Sequence, residues 1–169
     1  MIKTYLNHIS LGAISMSMIL FALISQYLFE FTPCSLCLIQ RYPHILVAIT
    51  SLWLVFFRTH NLFIYPLNTL IMAFSIILAS YHVGVEQGIF QGPQSCSPSN
   101  LFSVTEKSAE ALLKDILNTS VVRCNEVTWS FISLSMASWN LIMSIALFTA
   151  WIISSLHFFR FFYSKSFSK

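Results

Sequence analysis

At 169 residues the chain has the length of one domain. Its hydrophobic fraction is 56%, only 9% of its residues are charged, and its mean hydropathy is +0.73. Soluble domains carry about 25% charged residues, so this composition excludes a water-exposed globule, and a formal charge of +3 spread along the chain gives no footprint for nucleic acid.

Four stretches are long enough to cross a hydrocarbon core of about 30 Å, which takes roughly 20 residues as helix. The first spans about 9–29. With a single basic residue ahead of it (Lys3), an apolar run reaching Phe31 and no A-x-A-like site after it, it is expected to stay as a spanning helix rather than be removed. A short link of about 30–37 follows, carrying Cys34-Ser35-Leu36-Cys37, and then a second span at about 38–57 that opens with Gln40-Arg41. Arg58-Thr59-His60-Asn61 forms a tight polar turn into the third span, about 62–83. Pro43 and Pro66 fall in the first turns of spans two and three, where a missing N–H costs a helix least.

The one large polar segment is about 84–130. Gly92-Pro93 and Ser97-Pro98-Ser99-Asn100 are turn chemistry flanking Cys96. Ser103 and Glu106 make an S-x-x-E capping box, and Ala109, Leu112, Leu113, Ile116 and Leu117 then repeat on one helical face. A short helix on the membrane surface is expected there, or one packed on the bundle top. A fourth span, about 131–157, completes the chain. The expected fold is an all-α, four-helix membrane bundle in a single domain, 1–169, with one large outer loop carrying that short helix.

Orientation follows from Lys and Arg near the span ends. Lys3, Arg58, Arg160, Lys165 and Lys169 fall on one side, and Arg41, Lys107, Lys114 and Arg123 on the other, where acidic neighbours dilute the last three. All four cysteines (Cys34, Cys37, Cys96, Cys124) lie on that second side. Disulfides persist in oxidising compartments, so both termini are expected in the cytoplasm and the cysteines outside it.

The chemistry concentrates at Cys34–Arg41. A C-x-x-C bridge closes a tiny loop and gains little entropy, so it suits thiol exchange better than stapling. Residues at i and i+4 share a helix face, which puts Arg41 beside Cys37. The guanidinium and a nearby helix N-terminus both favour a thiolate at Cys37. Gln40 is expected to face lipid or headgroups, and His44 lies within helical reach of Arg41 without forming a constellation. His82 and Glu86, at i and i+4 by the outer end of span three, are candidates for proton relay or for a hydrogen-bonded cap. Cys96 and Cys124 suit a loop staple, although pairings across the two loops are open as well. No resident metal is expected, since a zinc ribbon would need a second C-x-x-C; a mixed site including His82 is the alternative.

C-x-x-C-x-x-x-R at the start of the second of four helices resembles the disulfide bond formation protein B family, DsbB, of bacterial inner membranes. A second match runs from Cys124-Asn125-Glu126-Val127-Thr128-Trp129-Ser130-Phe131 to Leu134-Ser135-Met136-Ala137-Ser138-Trp139-Asn140, similar to that family's C-x-E-x-x-W-x-F and L-x-M-x-x-W pattern. With the spans and both cysteine pairs, the resemblance covers nearly the whole chain. It implies a thiol:quinone oxidoreductase in the inner membrane with its cysteines in the periplasm. A periplasmic thioredoxin-fold oxidase, DsbA, would give its electrons to Cys96–Cys124, with Cys96 the sulfur attacked. They would pass to Cys34–Cys37 and on to ubiquinone or menaquinone, with Cys37 touching the quinone and Arg41 beside it. His82 and Glu86 are further candidates for the quinone site. The rival readings are a vitamin K epoxide reductase-like enzyme, whose C-x-x-C comes late in its bundle, and a non-enzymatic scaffold with structural disulfides.

Overall fold

A computed structural model describes residues 2–57, 63–93, 124, 125, 127 and 129–167, with side chains for those from 8 to 160. Helix α1 runs Ile2–Tyr27, α2 Ser35–Ile39, α3 Arg41–Phe57 and α4 Ile64–Glu86; strands β1 (Ser130–Phe131) and β2 (Leu134–Ser135) lead into α5, Met136–Phe167. Four segments are long and apolar enough to cross a membrane: His8–Tyr27, Ser35–Phe57, Ile64–Glu86 and Met136–Arg160. The fold is therefore the expected helical membrane bundle, with one short two-stranded hairpin added before its last helix. The expected surface helix near 103–117, the turn at 58–61 and Cys96 lie outside the described residues.

Helix ends follow local chemistry. Pro43 and Pro66 each occupy the third position of α3 and α4, where no intrahelical N–H bond is lost. At the C-terminal end of α4 the chain closes a Schellman motif. Ile89 N–H bonds to Gly84 C=O at 2.8 Å, and Gly88 N–H to Val85 C=O at 3.1 Å. That turn requires a left-handed residue, and Gly88 supplies it with φ 72°. It fixes the last turn of α4, which carries His82 and Glu86.

Hydropathy places the fourth span from about 131, but the helix begins at Met136. The intervening residues form a tight hairpin, pairing Ser130 with Ser135 and Phe131 with Leu134. Ile132 and Ser133 have φ of 53° and 61°, as a two-residue hairpin turn of the right twist demands. Ser135 then caps α5 by accepting the Ser138 N–H at 3.1 Å. Apolar composition alone does not separate such a hairpin from a helix start.

α1 packs on α3, and α4 on α5, with α3 joining the two pairs. A core of Leu11, Val47, Met72, Leu147 and Trp151 fills the middle. Because lipid is as apolar as these side chains, close approach and hydrogen bonding must hold the helices together. Gly12 lets α1 approach Ser51 so closely that a Cβ there would lie 2.6 Å from the serine Cβ. Ser75 and Ser144 bond across α4 and α5 at 2.9 Å, and His8 Nε2 meets Tyr65 Oη at 2.8 Å. Large apolar side chains such as Leu52, Phe56, Leu70 and Ile77 point outward, as a lipid-facing surface requires.

Candidate functional site

The site is built where α2, the N-terminal end of α3, the C-terminal end of α4 and the start of α5 converge. Cys34 is the N-cap of the five-residue α2, with extended backbone, and its sulfur accepts the Cys37 N–H at 3.3 Å. The Cys34 and Cys37 sulfurs are free thiols 3.0 Å apart. From α4, His82 Nε2 comes within 3.5 Å of the Cys34 sulfur. Hydrogen bonding from the Cys37 thiol, then from His82 and the Cys37 N–H, pulls the Cys34 thiol from about 9 down to about 4, against the opposing effect of burial. Helical spacing alone puts the thiolate-favouring helix end at Cys37. In the structure those contacts converge on Cys34, because α2 starts one residue after Cys34 and the chain turns at Gln40 before α3.

His82 and Glu86 sit together, with Nε2 to Oε1 at 4.0 Å, and Glu86 also accepts the Ser135 hydroxyl at 2.5 Å. The carboxylate therefore ties α4 to the N-terminus of α5. Arg41 lies at the first residue of α3 and donates from Nη1 to Gln26 Oε1 at 2.7 Å. Gln26 was not singled out from sequence; the available signal is an amide in the last turn of an otherwise apolar span.

Gln40 is not lipid-facing. It is buried, donates to Leu78 C=O at 3.3 Å and accepts from Asn140 Nδ2 at 3.1 Å. Asn140 Oδ1 in turn lies 3.0 Å from His44 Nε2, so the imidazole donates there. These three side chains link α3 to α5 beside the dithiol. Periodicity could not reveal this, because Asn140 is distant in sequence.

Cys37, Arg41, His44 and His82 share a cavity of about 470 Å³ with Cys34, Gln40 and Glu86. Phe21, Trp129, Phe131 and Trp139 supply aromatic wall around it. Its size lies within the usual range for small-molecule sites. Cys124 is disulfide-bonded and buried, and joins Cys34, Leu36 and Val85 in one packed cluster. Its sulfur is 3.7 Å from Ser35 Oγ, so the chain at Cys124 lies against the C-x-x-C turn.

A buried dithiol at the end of a four-span bundle, with a second half-cystine packed on it, defines a membrane protein built for thiol–disulfide chemistry. The chain matches the model of the family described as disulfide bond formation protein DsbB over residues 7–154. It belongs to the DsbB family, and is an oxidoreductase of disulfide bond formation. It is also similar to an uncharacterized protein of Rickettsia prowazekii (strain Madrid E), 29% identical over 126 residues, covering 75% of this chain and 73% of that protein.

Proposed function

We propose that the protein reoxidises a periplasmic thioredoxin-fold dithiol oxidase of the DsbA kind and delivers the electrons to ubiquinone or menaquinone in the bacterial inner membrane. The observation that carries this reading is the free Cys34–Cys37 pair on the wall of an aromatic-sided cavity, with Cys124 packed against it. A scaffold disulfide needs neither the cavity nor the second cysteine pair.

The residues divide the work as follows. The partner's dithiol reduces the outer disulfide, with Cys96 the sulfur attacked, and leaves as a disulfide. Cys124, freed as a thiolate, attacks Cys34 of the oxidised inner pair, with which it packs in one cluster, and Cys37 departs as the new thiolate. Closure of Cys96–Cys124 then releases Cys34, so the inner pair holds two electrons. Cys37, half-buried on the cavity wall, is the sulfur facing the acceptor; Cys34, 3.0 Å behind it, closes the disulfide as the electrons leave.

The cavity fits a quinone ring. Its aromatic sides offer stacking surfaces, while Arg41 offers a cationic donor and His44 an imidazole edge. When bound, the quinone supplies a sink for two electrons and two protons. Arg41 orients a carbonyl and stabilises negative charge there; His82 and Glu86 stand beside the thiols from which the protons come.

The test follows quinone-analogue reduction by purified protein supplied with a reduced thioredoxin-fold partner. We expect turnover in wild type, its loss in Cys37→Ser, and failure of partner oxidation in Cys96→Ser. Absence of quinone reduction with every partner, together with disulfides that resist exchange, would overturn the reading in favour of a scaffold.

A further inference from the structure

The geometry points to a second capacity of the same residues: the reduced Cys34–Cys37 pair and His82 form a three-ligand site for a thiophilic divalent cation of the Zn²⁺ class, whose binding locks the dithiol. The three donor atoms lie within 4.8 Å of one another. In a tetrahedral zinc site, sulfur at about 2.3 Å and nitrogen at about 2.0–2.1 Å place sulfur about 3.5 Å from nitrogen and two sulfurs about 3.8 Å apart. The Cys34 sulfur is 3.5 Å from His82 Nε2, so that edge is already formed. The sulfurs, now 3.0 Å apart, must separate by less than about 1 Å, and half-buried Cys37 borders the cavity into which it can move.

The donor chemistry is also right. Two thiolates and an imidazole select zinc-like ions over magnesium or calcium. A C-x-x-C spacing presents both sulfurs to one point, as in many structural zinc sites. Glu86, whose carboxylate lies 4.0 Å from His82 Nε2, lines the same cavity as the three donors. His82 Nδ1, however, is buried with no hydrogen-bond partner. Ligating histidines usually donate that proton to an acceptor, and losing this support weakens binding by about 10–100-fold. The site is therefore a reversible one.

Binding is not a redox step: the ion displaces the proton that the dithiol still carries, and both sulfurs stay reduced. With their lone pairs engaged, they can neither close the disulfide nor meet an acceptor. The inference rests on the relay reading only in taking the dithiol as a state that the protein visits.

Its test reads metal binding directly, in full-length protein carrying Cys96→Ser and Cys124→Ser so that a single dithiol is present. Cd²⁺ is titrated and the thiolate-to-metal absorption followed, with Zn²⁺ as competitor. We expect one ion per chain when two free thiols are counted, and none after oxidation of the pair. His82→Ala should weaken binding at least tenfold, and His82→Cys should restore it by supplying a third thiolate. Equal affinity with and without His82→Ala in that background, or no binding by protein with two countable thiols, would overturn the site. A parallel assay of quinone-analogue reduction by wild-type protein keeps the two readings apart. Metal binding without quinone reduction overturns the relay and leaves the site standing; quinone reduction without metal binding does the reverse.

Discussion

Cys34 is 6% exposed, and the Cys37 sulfur, the Cys37 N–H and His82 Nε2 all lie within hydrogen-bond reach of its sulfur, contacts that lower its pKa to about 4 against the effect of burial. A depressed thiol pKa has a definite sign in pH space. The stabilisation of the reduced fold is complete above the unfolded value near 9, shrinks as the pH falls, and is gone below about 4. Peptide-resolved alkylation of the reduced protein should therefore show Cys34 reactivity nearly level from pH 8 to about 5, falling only toward about 4. Since the Cys37 hydrogen bond is the largest contribution, Cys37→Ala should move that fall upward more than His82→Ala does. A profile that climbs toward pH 9 in wild type would contradict the contacts described. Stabilising the thiolate also favours the reduced pair, as in strongly oxidising dithiols. At Arg41 the expectation is kinetic. Gln26→Leu removes a hydrogen bond to a charged group, worth about 1.5 kcal/mol or more, so KM for a quinone analogue should rise about tenfold while kcat changes little. An unchanged KM would show that Gln26 does not orient the guanidinium.

Among the elements, α1 and α3 depend on one close approach. A methyl group at position 12 would meet the Ser51 Cβ at 2.6 Å, so the helices must part or tilt. Gly12→Ala should destabilise the bundle by about 1–3 kcal/mol, read as a lower midpoint of thermal unfolding in detergent. Adding Ser51→Gly should recover most of the loss, because the clash lies with that side chain. At the far end of α4, Gly88→Ala places a Cβ on a left-handed residue and should cost about 1 kcal/mol. Since that turn holds the helix end carrying His82 and Glu86, the pH profile of Cys34 should shift with it; an identical profile would uncouple the turn from the site.

For the whole molecule, the four spans bring α2 and the start of α5 to the same end as the last turn of α4. We expect that end to face the periplasm and both termini the cytoplasm. A membrane-impermeant thiol reagent added to intact cells after mild reduction should label Cys96 and Cys124, whereas reporters fused at either terminus should behave as cytoplasmic. The opposite pattern would reverse the orientation.

Sequence alone determined the bundle, since 9% charge and four apolar runs leave a chain of this length no water-soluble alternative. It also located the dithiol, because C-x-x-C followed by arginine at a span boundary is a local pattern with a local chemical meaning. Tertiary structure decided what surrounds that pair. Gln26 beside Arg41, Asn140 beside Gln40 and His44, and Ser135 on Glu86 are contacts between residues far apart in the chain, set by helix rotation and tilt. Hydropathy fixes which residues enter the membrane but is nearly blind to which face of a uniformly apolar helix turns inward. The same blindness hid the hairpin before α5; helical spacing favours a thiolate at Cys37, whereas a short separate helix makes Cys34 the N-cap that accepts the Cys37 N–H.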